Sequence, residues 1–129
     1  MRTILVALLL VLSGCGSGEV PVKVRPTQGT GPDVLPIKLK ALTTDQCYLA
    51  PGTESPKSCQ KYVTELSSAA GTVRKRRPDL SSHADVLDRP IAAFRAANCQ
   101  DMAAPGGPCG QALGDMATAL TSVKSLVGG

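Results

Sequence analysis

Aromatic side chains are nearly missing from this chain. Among 129 residues only Tyr48, Tyr62 and Phe94 carry a benzene ring, and tryptophan is absent. A pocket for haem or another large planar cofactor usually has aromatic walls and an axial ligand. Three rings that are not grouped in sequence, with His83 as the single histidine, do not supply one. No cofactor is therefore implied. The serine elbow GxSxG and the glycine-rich phosphate loop are also absent. Ten carboxylates are scattered without an evident acid–base pair. These absences argue against an enzyme. The formal net charge of +4 is too small to point to nucleic acid, and no nucleic-acid partner is expected.

The first fifteen residues are more informative. Met1-Arg2-Thr3 carries one positive charge, and Ile4 to Leu12 is an unbroken apolar run. Nine residues suit the apolar region of a signal peptide, whereas a bilayer span needs about 20. Leu12-Ser13-Gly14-Cys15 follows. This segment resembles the lipobox of bacterial lipoproteins, in which an apolar residue and two small residues precede a cysteine. The resemblance implies removal of residues 1–14 and attachment of diacylglycerol to the Cys15 thiol, with acyl chains such as palmitate. Two chains are what stable anchoring requires. The implied location is the extracytoplasmic face of the cell membrane.

Without the leader, 115 residues remain, with 13 Lys/Arg against 10 Asp/Glu. That is one domain and a tether. With so few rings, the core must be built from Leu, Val, Ile and Ala, and small cores often need covalent staples. Cys15 aside, four cysteines remain: Cys47, Cys59, Cys99 and Cys109. An even number in an exported chain reads as disulfides. The spacings lack the CxxC knuckle of structural zinc sites, so no metal is assigned.

Residues 16–33, GSGEVPVKVRPTQGTGPD, are rich in Gly and Pro and read as a flexible spacer. The alternation of Val20, Val22 and Val24 is compatible with a short strand, but Pro21 interrupts it. Residues 34–129 form the expected domain. Cys59, Val63, Leu66, Ala70 and Val73 step by four and three, the apolar stripe of a helix. Cys109, Leu113, Met116, Leu120 and Val123 repeat those steps fifty positions later. Leu35, Leu39, Leu42, Gln46 and Cys47 match Leu87, Ile91, Phe94, Asn98 and Cys99 at a displacement of fifty-two. Each half thus reads as helix, cysteine, Pro/Gly loop, cysteine, helix.

The expected fold is all-α: a small disulfide-stapled bundle of about four helices, arranged as two similar hairpins. The helices should cover about 35–47, 57–76, 82–98 and 109–127. LPIKLKAL (residues 35–42) also fits a strand, and the repeat favours helix. Ser55 is a candidate N-cap for the second helix, while Pro90 should kink or divide the third, with Asp88 capping a fresh start. Pairing within each hairpin gives Cys47–Cys59 and Cys99–Cys109. In an up-down bundle all four cysteines lie at one end, which leaves crossed pairings open.

Two clusters deserve a functional reading. His83 with Asp79 and Asp85 has metal-binding residue types, but a solvated histidine in a first helical turn explains it better. Arg74-Lys75-Arg76-Arg77 is the one charge cluster. It suits an anionic surface such as a cell-wall polymer or an acidic envelope protein. The structural reading is favoured: basic residues suit a helix C-terminus, where cations oppose the macrodipole, and Pro78 ends this helix. The functional expectation is a non-enzymatic interaction or accessory module of the cell envelope. The second expectation is a carrier of a small apolar ligand in the bundle interior, in a cavity lined by residues such as Leu66, Phe94 and Met116.

Overall fold

The computed structural model describes residues 33–128. The leader, the lipobox and the Val20–Val24 alternation lie outside the described residues. Five α-helices follow in order: α1 (Leu35–Leu42), α2 (Gln46–Leu49), α3 (Gln60–Arg76), α4 (Ser81–Ala96) and α5 (Gly107–Gly128). No strand occurs among the described residues, so residues 35–42 are helical as the repeat suggested. The fold is a small helical bundle stapled by Cys47–Cys59 and Cys99–Cys109, with S–S distances of 2.07 and 2.09 Å.

Both stripes of both halves point inward. Leu35, Leu39, Leu42 and Cys47 are buried, as are Leu87, Ile91, Phe94 and Cys99. So are all five residues of the Cys59 and Cys109 stripes. The repeated amides Gln46 and Asn98 are exposed. Ala69, Ala70, Ala84, Ala112 and Ala119 fill positions between the larger side chains. One contiguous core results, and no charged or polar residue is buried among the described residues.

The α1–α2 segment lies antiparallel to α3. Asp33 meets Arg76, Lys38 donates to Ser68, and Cys47 is bonded to Cys59. It also runs antiparallel to α5, where Lys124 donates to Thr43, Tyr48 shares a hydrogen bond with Thr121, and Gly110 abuts Pro51 and Gly52. In the same way α3 packs on α4, and α4 on α5. The two hairpins therefore close a ring of four helical segments.

Three local expectations need correction. The first helix does not run unbroken over 35–47; it stops at Leu42 and restarts at Gln46. Thr43 and Thr44 donate their hydroxyls to the carbonyls of Lys40 and Ala41, and Asp45 accepts from the Cys47 N–H. These short polar side chains compete for backbone partners and so favour a turn and a new cap. Second, Pro90 does not divide the third helix, because α4 is continuous from Ser81 to Ala96. Pro90 is buried, and the packing of Leu87, Ile91 and Phe94 holds the helix across the missing N–H bond. Asp88 consequently caps nothing; its carboxylate meets Arg74. Third, Ser55 stands at the N-cap position, yet its side chain makes no capping bond. The chain enters α3 through a 3₁₀ turn at Pro56–Cys59. There the Ser55 carbonyl accepts from both the N–H and the hydroxyl of Ser58.

The end of α4 is set by Asn98, whose φ of 53° is left-handed. A short polar side chain tolerates that conformation and so ends helices well.

Candidate functional site

Four cations at the end of α3 are faced by four carboxylates. Arg74 is gripped by Asp85 at 2.6 Å and by Asp88, both on α4. Arg76 lies 3.6 Å from Asp33, just before α1. Arg77 makes a two-point contact with Asp79, at 3.1 Å from Nε and 2.9 Å from Nη2. Lys75 alone has no ion-pair partner among the described residues. The pairs lie at the surface, so solvent screening leaves each bridge a small contribution to stability. Their geometric effect is larger: they join the α1 entry, the end of α3 and the first half of α4. The hydrogen bond from Arg77 holds the Asp79 carboxyl below the usual aspartate range and raises Arg77 in turn, while hydrogen bonds to Asp85 and Asp88 raise Arg74. Basic charge that looked free in sequence is thus spent mostly inside the fold. What could have shown this is spacing. Asp85 and Asp88 stand 11 and 14 residues beyond Arg74, across a tight turn at Pro78.

The carboxylates near His83 are engaged as well. Asp79 faces Arg77, and Asp85 faces Arg74. His83 is partly buried at the start of α4, with Nδ1 unpaired. No group of three or more His, Cys, Asp or Glu close enough for a metal ion occurs among the described residues. A Ser-x-x-Lys spacing at Ser58 and Lys61 brings no nucleophile–base pair together. The Ser58 hydroxyl donates to the Ser55 carbonyl at 2.7 Å, and Lys61 lies 3.6 Å from Glu65.

At the opposite end the two disulfide loops touch. The Lys57 N–H donates to the Met102 carbonyl at 2.9 Å. Nearby, the start of α3 and the end of α4 leave a half-open cleft of about 290 Å³, lined by Gln60, Val63, Thr64, Phe94, Arg95 and Gln100. Phe94 and Val63 are buried and form its apolar floor, while Arg95 is exposed and without an acidic partner among the described residues. Gln100 Oε1 is shielded from solvent and unpaired. Of the residues expected around an interior cavity, Phe94 lines this cleft, and Leu66 and Met116 do not. Both are fully buried in the core. The cleft leaves no pattern along the chain, because its polar lining comes from three separate segments.

Compared with family models, curated proteins and solved structures, the chain gives no match. No helix among the described residues is long and apolar enough to cross a membrane.

Proposed function

We propose that this chain is an extracytoplasmic lipoprotein, anchored through Cys15, whose stapled domain serves as a non-enzymatic interaction or accessory module of the cell envelope. The observation that carries this reading is the cysteine count. Cys47, Cys59, Cys99 and Cys109 are satisfied by one another, so Cys15 is the single odd cysteine, placed at the end of the lipobox-like segment. Disulfides of this kind belong to oxidising compartments. Leu66, Leu113 and Met116 are fully buried in one contiguous core, and this favours a module that works through its surface over a carrier loaded inside the bundle. The ion pairs at Arg74, Arg76 and Arg77 favour a protein partner over an anionic polymer, since little free charge is left at that end.

The test is replacement of Cys15 by Ser, followed by membrane fractionation and incorporation of labelled palmitate. Loss of label, with release or misprocessing of a folded domain, is the expected outcome. Unchanged membrane retention would overturn the anchor. In-cell crosslinking of the wild-type chain should then recover a discrete envelope partner.

A further inference from the structure

The cleft between α3 and α4 offers a specific combination of groups. Its floor is apolar, from Val63 and Phe94. Its rim carries the Arg95 guanidinium, which can take a carboxylate with two parallel hydrogen bonds. Its polar wall can accept hydrogen bonds. The Thr64 hydroxyl gives its proton to the Gln60 carbonyl at 3.0 Å, which leaves its oxygen as an acceptor only. Gln100 Oε1 has no donor within the protein. An unsatisfied buried amide costs roughly 1–3 kcal/mol, so a donor that reaches it is favoured. The amide can also turn about its last torsion to meet a ligand. A volume of about 290 Å³ lies just below the usual range of ligand pockets, roughly 300–1,000 Å³, and suits a small ligand.

A carboxylate, an adjacent N–H donor and an apolar body describe one chemical class. We propose that this cleft binds an N-acylated apolar amino acid, as found at the C-terminus of a peptide or as a free small molecule. Arg95 takes the carboxylate, Thr64 accepts from the amide N–H, Gln100 joins it once its amide turns toward the cleft, and the side chain lies on the floor over Phe94 and Val63. The proposal goes beyond the envelope-module reading and does not depend on the lipid anchor. The site lies beside the disulfide loops, and Cys99–Cys109 ties the segment that carries Gln100 to the start of α5.

The experiment is a nitrogen-15 NMR titration of the oxidised chain, carrying Cys15→Ser to keep it free of lipid. The probes are N-acetyl-leucine, its uncharged amide, and a short peptide ending in leucine with a free carboxylate. The expected result is saturable shifts confined to the amides of Val63, Thr64, Phe94, Arg95 and Gln100. Affinity should fall at least about tenfold for the uncharged amide and for Arg95→Gln. Arg89→Gln, on the same helix but outside the cleft, should leave it unchanged. Tighter binding of the peptide than of N-acetyl-leucine assigns the ligand to a protein terminus, and equal binding assigns it to a small molecule. No shifts at millimolar probe, shifts spread over the surface, or equal affinity for the acid and its amide would each overturn the proposal. Arg95 is exposed, so Arg95→Gln should keep wild-type helicity, and circular dichroism verifies that its effect is local.

Discussion

The backbone N–H of Lys57 donates to the carbonyl of Met102, and so ties one disulfide loop to the other. Two loops in contact bring four cysteines to one end of the bundle. Crossed pairings are therefore the natural competitors during oxidative folding. Trypsin separates the two outcomes. The observed pairing leaves Cys99 and Cys109 within one peptide, residues 96–124, and joins residues 41–57 to residues 58–61. A non-reduced digest should contain both species. Any peptide joining residues 41–57 to residues 96–124 would refute the pairing. Removing either bridge should cost about 3 kcal/mol, as expected for loops of this length, measured by urea unfolding.

The fold was largely readable from periodicity. Every apolar position of the two repeated stripes is buried, because a three-four spacing has one good solution once short loops force antiparallel packing. Residues 43–45 and Pro90 depart from the simple helix pattern for opposite reasons. At Thr43, Thr44 and Asp45, local side-chain hydrogen bonds outweigh helix continuation. At Pro90, tertiary packing outweighs a local penalty. The site was less legible. The basic run was visible, but its neutralisation by Asp33, Asp79, Asp85 and Asp88 depends on how three segments meet. The cleft has no linear signature at all.

Pro90→Ala should raise stability. A proline in a helix interior costs about 3 kcal/mol relative to alanine. Alanine restores the N–H that the Val86 carbonyl lacks. Loss of about two buried methylenes costs roughly 1.6 kcal/mol in return. The difference leaves a net gain of about 1–2 kcal/mol. A urea midpoint at or below wild type would mean that the ring's packing outweighs the backbone defect.

Gly71 and Gly114 lie within α3 and α5, and a Cβ at either would meet nothing within 4 Å. Alanine at each should stabilise the protein by about 0.4–1 kcal/mol, chiefly by restricting the unfolded chain. Gly106 gives the opposite sign. Its φ of +82° is left-handed, so Gly106→Ala should destabilise by about 1–2 kcal/mol although the space is open. Thermal unfolding of the three variants reads out the contrast.

Tyr62 is 1% exposed, and its hydroxyl has no hydrogen-bond partner. Burial, with smaller effects of Asp45 and Tyr48, raises its pKa. The unfolded phenol ionises near pH 10, whereas the native one keeps its proton. Tyr62 therefore contributes stability that is complete below about pH 10 and falls as pH rises further. Tyr62→Phe should flatten that alkaline decline. It should also add about 1 kcal/mol at neutral pH by removing an unsatisfied group. An unchanged alkaline slope would place its origin elsewhere.

Arg77 and Asp79 make the converse case at the acid end. The hydrogen bond from Arg77 lowers the Asp79 pKa below its unfolded value. A depressed carboxyl contributes stability that is present above the unfolded pKa, near 3.9, and is lost as pH falls through the folded value. Both groups are open to solvent, so the energetic effect is small and the titration is the better readout. Carbon-13 NMR of the side-chain carboxyl should give Asp79 a midpoint below the usual aspartate range. Arg77→Gln should return it to that range, and added salt should do so only in part, because a two-point hydrogen bond resists screening better than a bare charge pair. If Arg77→Gln left the midpoint where it was, the pair would not be formed in solution. The basic turn would then carry more free charge than its geometry indicates, and salt-sensitive binding to anionic vesicles would be the next measurement to make.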